Sequence, residues 1–253
     1  MTQNLAPQRT GLTLLGVALA VGLVLAAVIV AGTFERIKLA GDKITVKGYA
    51  EERITSDVGV WRGNLTVRGP QLPDAYAKLE TDSRRITEFL RDRIAGEAEL
   101  RPGPVSMGTR YEVNVQGVMT GRVAAYQLDQ TFEITSSDPE LVARIAREAS
   151  SLISEGIELN SWPPQFFYSD LNAVKVRLLG AATQDARSRA EQFASNSGIR
   201  VGPIKSATQG VFQITQVNST ETADYGSYDT STIAKTVKAV VTIEYAVERQ
   251  GSS

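Results

Sequence analysis

Acid–base and nucleophilic chemistry in this chain has to come from carboxylates, lysines or hydroxyls, because the sequence contains neither histidine nor cysteine. That excludes a Ser-His-Asp triad, a thiol nucleophile, a disulfide framework and any Cys or His metal site. The nearest carboxylate groupings are Glu51-Glu52 with Asp57, and Glu97 with Glu99. A glycosidase needs two carboxyls facing one cleft. Nothing in this spacing demonstrates that, and both groupings read as solvated strand ends. Glu221, Asp224 and Asp229 could offer oxygen ligands to calcium, but their spacing is not that of an EF-hand. No Gly-x-Ser-x-Gly elbow, Walker-type loop or Gly-x-Gly-x-x-Gly fingerprint occurs. The expectation is therefore a non-enzyme with no catalytic, cofactor or metal site.

Two aromatic segments remain as contact candidates. Trp162-Pro163-Pro164-Gln165-Phe166-Phe167-Tyr168 is the densest aromatic cluster. Strand alternation would send half of it into the core and leave the rest, with Trp162, Phe166 and Tyr168 as candidates, for an oligomer or membrane-surface contact. The polar stretch 218–232 carries Tyr225 and Tyr228, rigid rings that supply contact area at low entropic cost. The alternative for 218–232 is a mobile surface excursion. Arg84, Arg85, Arg91 and Arg93 read as a solvated helix face.

The elements that position these residues follow from periodicity. Residues 43–50 and 58–68 read as strands, with Trp61, Leu65 and Val67 on one face at period two. Residues 72–94 read as an amphipathic helix, after which Pro102-Gly103-Pro104 should break the chain. A hairpin is expected from 105–116 and 122–135. Asp138-Pro139 begins a helix whose stripe runs through Leu141, Ile145, Ala149 and Leu152. An extended stretch over 157–168 leads to the longest helix, about 171–197. Its stripe is Leu171, Val174, Leu178, Ala182, Ala186, Ala190 and Phe193, with Gly198 as the stop. Strands 201–214 and 235–248 close an α+β fold, a mostly antiparallel sheet with three helices packed on it. Any subdomains are expected to fold as one body.

Of the 27 basic residues only Arg9 precedes a charge-free run from Thr10 to Phe34, which leaves 26 basic against 28 acidic residues in 35–253. The 20 residues from Leu12 to Ala31 would span about 30 Å as a helix, the thickness of a bilayer core. The run is too long for a signal-peptide core, and Ile29-Val30 makes a poor cleavage site. It is read as an uncleaved anchor. The organisation is then a tail (1–10), a transmembrane helix (11–34), a linker (35–42), a domain (43–248) and a tail (249–253). Arg36, Lys38, Lys43 and Lys47 would place the domain in the cytoplasm by the positive-inside rule, although long domains are translocated despite such charges. The near-neutral charge speaks against nucleic acid as a partner.

Several phrases in this order resemble the SIMPL domain family, also called DUF541. They are Ile44-Thr45-Val46-Lys47-Gly48, Thr55-Ser56-Asp57-Val58, the Ala-rich 181–190, Ser197-Gly198-Ile199-Arg200-Val201-Gly202 and Val240–Tyr245. The chain looks most similar to a membrane-anchored branch through Gly210–Thr215, Asp224-Tyr225-Gly226 and Asp229-Thr230-Ser231. Many members carry Pro-Asp where this chain has Ser56-Asp57. The resemblance implies a bacterial inner-membrane protein with its domain outside the cytoplasm and a non-enzymatic envelope role. It also implies homo-oligomers of ring or cage type, and a link to envelope or oxidative stress in some relatives. The expected partners are copies of itself, the bilayer through residues 11–34, and an unidentified envelope protein. Two other readings are a monomeric module that binds a peptide, lipid or protein, and a carboxylate-dependent hydrolase.

Overall fold

The computed structural model describes residues 16, 19–30, 43–94, 96 and 98–249. Strands β1 (Lys43–Thr55) and β2 (Val58–Gly69) are followed by α1 (Leu72–Arg91), β3 (Glu99–Val113) and β4 (Met119–Ser136). Helices α2 (Pro139–Glu148) and α3 (Ser151–Ser154), short strands β5 (Leu159–Ser161) and β6 (Gln165–Phe167), and the long α4 (Leu171–Ser195) come next. The chain ends with β7 (Ile199–Gln209), β8 (Gln213–Gln216), β9 (Ser227–Tyr228) and β10 (Ala234–Arg249). The fold is α+β with mostly antiparallel sheets. One sheet runs β3-β4-β2-β5, with β6 also on β2; the other runs β1-β10-β8-β9, with β7 also on β10. The β8–β9 pair is parallel.

The chain forms two compact units. The larger draws on Ala50–Gly180 and Val211–Ala239. Its core lies under β2 and β4, where alternation buries Trp61, Leu65 and Val67 beside Leu128, Phe132 and Ile134. Helix α1 covers this face with Leu79, Ile86 and Leu90, and α2 adds Leu141, Val142 and Ile145. Asp138 caps α2 by accepting from the Glu140 and Leu141 amides at 3.0 and 3.1 Å, which satisfies donors that the helix itself cannot. The Trp61 indole donates to Ser161 Oγ at 2.9 Å.

The smaller unit draws on residues 43–49, 181–210 and 240–249. Here the second half of α4 packs Ala182, Ala186, Ala190 and Ala194 inward, with Val241, Ile243 and Tyr245 also buried. A Cβ at Gly48 would sit 2.0 Å from the Ala182 carbonyl oxygen and 2.8 Å from the Ala186 Cβ. Glycine opposite alanines lets strand and helix approach this closely, and the Tyr49 amide donates to Asp185 at 2.8 Å.

Four expectations change. Pro102-Gly103-Pro104 does not break the chain but lies inside β3, where the register shifts between Pro102 and Val105. β3 is the edge of its sheet, so prolines there cost no ladder bond on the free side. The helix expected after Asp138 is two helices, α2 and the four-residue α3, interrupted at Ala149-Ser150, so four helices replace three. Strand 201–214 is divided at Gly210 into β7 and β8. Phe193 is exposed; the inward position is Ala194, because the buried stripe of α4 steps by four.

Residues 19–30 are helical with every side chain exposed. The rest of the expected span, 11–15, 17–18 and 31–34, lies outside the described residues, as do the expected tail 1–10, the linker 35–42 and residues 250–253 of the other tail, whose first residue, Arg249, instead closes β10. Among the described residues no helix is long and apolar enough to cross a membrane.

Candidate functional site

The two aromatic segments singled out from sequence meet in the larger unit. The Phe166 amide donates to the Thr230 carbonyl at 2.8 Å, and the Phe167 and Tyr228 rings lie 6.3 Å apart at 52°. β5 and β6 both pair with β2, and Pro163-Pro164 carries the chain between them. Trp162 stands out from this ridge at 42% exposure, while Phe166 is 4% exposed and belongs to the core. Tyr168 is half-buried. Tyr225 is fully exposed and Tyr228 partly so.

Two grooves flank the ridge. One, of about 390 Å³, is lined by Arg62, Trp162, Gln165 and Ser231 among others. The other, of about 580 Å³, lies between Trp162-Pro163-Pro164 and the α2 side chains Ala143, Ala146 and Arg147. Sequence reading did not find Arg62 or Arg147. The ion-pair partner of Arg62 lies far along the chain, Glu133 at 2.7 Å.

The 218–232 stretch is not an unattached excursion. The Gln213 side chain clamps Ala223 twice, donating to its carbonyl at 2.7 Å and accepting from its amide at 3.3 Å. Asp229 accepts from the Ser231 amide at 3.0 Å and from the Ser231 and Thr232 hydroxyls. The fully buried Lys235 donates to the Thr232 carbonyl and lies 3.6 Å from Asp229. Burial pushes the Asp229 carboxyl up, but the Ser231 and Thr232 hydrogen bonds and the Lys235 charge outweigh it and bring the pKa down to about 2. Burial pushes the Lys235 ammonium below its usual value despite Asp229.

The carboxylate candidates are engaged structurally. Glu52 pairs with Arg177 at 2.6 Å and Glu99 with Arg101 at 2.7 Å. Asp57 accepts from the Ser169 amide and hydroxyl at 2.8 and 2.5 Å, tying the β1–β2 turn to the end of the aromatic segment. Glu97 lies outside the described residues. No cluster of three or more acidic residues that could hold a metal ion occurs among the described residues. Arg85 and Arg93 are not simply solvated: Arg85 of α1 pairs with Glu155, just after α3, and Arg93, just after α1, pairs with Glu148 of α2.

A second surface is the distal β3–β4 hairpin. Val105, Met107, Tyr111 and Val113 of β3, with Met119 and Val123 of β4, are all exposed. At its base Met107 pairs with the buried Leu128, so these side chains share the face that is core further along the sheet. Beyond Val105 no helix covers it among the described residues. The period-two spacing from Val105 to Val113 was visible in the sequence, but it reads the same whether or not a helix lies above it.

The larger unit is thus a sheet-and-helix body with two grooves beside an aromatic ridge and an exposed apolar hairpin. The family model described as "SIMPL: Protein of unknown function (DUF541)" matches residues 44–245, and the chain belongs to that family. A search of curated proteins finds no match.

Proposed function

We propose that this chain is a membrane-anchored member of the SIMPL family that acts without catalysis, by assembling with copies of itself into a scaffold at the bacterial cell envelope. The observation that carries the reading is the exposed apolar face of the β3–β4 hairpin. A contiguous apolar surface left by a folded domain marks an interaction site. The anchor proposal rests on the charge-free run from Thr10 to Phe34, helical and exposed over residues 19–30. One anchor per subunit would hold the domains in a plane and raise their effective concentration. The proposal puts the domain outside the cytoplasm, in keeping with the family resemblance, and a reporter fused after Ser253 tests that side. Sedimentation of the detergent-extracted full chain tests the assembly: a species larger than the monomer is expected, and a monomer at every concentration overturns it.

A second reading, a module binding a peptide or partner protein, is favoured by the grooves beside Trp162. Trp162→Ala separates the two, since it removes the groove wall and leaves the hairpin intact. Loss of a partner with the assembly unchanged would favour binding. Deleting 218–232 would not separate them, because it strips the partners from the buried Lys235.

A further inference from the structure

The hairpin carries enough detail to name what covers it, and the inference rests on the assembly reading above. Among the described residues β3 has one strand neighbour, β4, and is the end of its sheet. The Asn114 amide donates to Val118 across the hairpin. Strand alternation then points the backbone groups of even-numbered β3 residues toward β4 and those of Met107, Thr109, Tyr111 and Val113 to the open edge. The register shifts between Arg110 and Val113 place the extra residues in β4 (Arg110 opposite Ala125, Tyr111 opposite Val123, Val113 opposite Met119), leaving β3 in regular step. Natural edge strands are blunted by lysine, proline or inward charge. Between Val105 and Val113 there is no lysine and no proline.

We infer that the free edge of β3 pairs antiparallel with β3 of a second copy of this chain, about a two-fold axis at Tyr111. The charges choose the register. Centred on Tyr111, Arg110 faces Glu112 of the second copy, and the symmetry makes this pair twice. Centring on Arg110 or Glu112 sets like charges opposite each other, and centring on Thr109 or Val113 leaves Arg110 without an acid. Like charges directly opposite destabilise a strand pair and opposite charges stabilise it. Neither Arg110 nor Glu112 has an ion-pair partner within its own chain among the described residues; the Arg110 guanidinium donates to Gln127. The same pairing joins Tyr111, Thr109 and Val113 of both copies on the uncovered face, so one contact satisfies the backbone edge and begins to bury the apolar stripe.

Sedimentation of the full chain in detergent, across a dilution series, provides the test. Arg110→Glu or Glu112→Arg alone should raise the dissociation constant about tenfold, since each replaces two attractive pairs by repulsive ones. The double swap R110E/E112R should restore it, which a variant that merely misfolds cannot do. The chain has no cysteine, so Tyr111→Cys gives a single thiol. A two-fold at that residue sets the paired Cα atoms about 5.5 Å apart, within disulfide reach, and oxidation should yield a covalent dimer. An assembly indifferent to both reversals, with no Tyr111→Cys dimer, overturns the β3 pairing and leaves the assembly reading standing. A monomer at all concentrations overturns both. A label on Tyr111→Cys that is quenched by lipid-borne nitroxide, without cross-linking, assigns the arm to the bilayer and overturns the pairing.

Discussion

The Lys235 ammonium lies 3.6 Å from the Asp229 carboxylate, and Lys235 has no exposed side-chain surface. This pair sits where the 218–232 stretch enters β10, and it makes that stretch part of the folded body. Removing one partner of a buried pair leaves an uncompensated charge, which costs about 3–5 kcal/mol, whereas replacing both by apolar groups is often neutral. Asp229→Asn should therefore lower unfolding stability in urea by about 3 kcal/mol, toward the low end because Asn keeps the hydroxyl contacts. Adding Lys235→Met should recover most of that loss. If the double variant is as unstable as the single, the pair is not what holds the loop.

Asp229 also predicts an acid response. Its folded pKa of about 2 lies below the ordinary 3.8. The stabilisation is present in full above about pH 4 and is lost as pH falls toward 2, because the unfolded chain takes up the proton first. A shift of this size corresponds to about 2 kcal/mol. Other lowered carboxyls, Asp129 and Asp185 among them, contribute to the same slope. The measurement is therefore the difference between the native chain and Asp229→Asn, followed from pH 5 to 2. The two curves should converge as the pH drops; a constant gap would refute the assignment.

Much of the body was legible because its cause is periodic. The alternation in β2 and β4, the Asp138-Pro139 helix start and the stop at Gly198 all follow from local residue types. What was not legible depends on distant partners. Pro102-Gly103-Pro104 is read as a breaker unless β3 is known to be a sheet edge. Phe193 fits an apolar stripe until helix and strand approach closely enough that only alanines fit. The grooves beside Trp162 require two segments some 65 residues apart to meet, and only their separate aromatic content was visible.

The approach of Gly48 to Ala182 carries its own prediction. Any side chain on Gly48 meets a backbone oxygen at 2.0 Å, and backbone cannot rotate away as a side-chain tip can. Gly48→Val should cost about 3 kcal/mol, the upper part of the range for overpacking. Thermal unfolding should report it as a lower midpoint. Gly180→Ala is the control, since a Cβ at that helical position meets nothing within 4 Å. Alanine is also the better helix former by about 1 kcal/mol, so that variant should be slightly stabilised.

The chain has two tryptophans in opposite settings, which makes the Trp162 ridge measurable on its own. Trp61 is fully buried with its indole hydrogen-bonded to Ser161, whereas Trp162, one residue beyond Ser161, is 42% exposed. Iodide should quench only the Trp162 part of the emission. Trp162→Phe should leave a blue-shifted signal that iodide barely reaches, at little cost in stability because the residue is 42% exposed. Trp61→Phe should leave the quenchable signal and destabilise the larger unit, since it opens space beside Gly63 and strands the Ser161 hydroxyl. Deleting a hydrogen bond of that kind costs about 1 kcal/mol before the cavity is counted. Trp162 lines both grooves, so binding in either would protect the iodide-sensitive fraction and leave Trp61 unchanged. Binding that leaves the iodide-sensitive fraction of the native chain unprotected would place the ligand elsewhere.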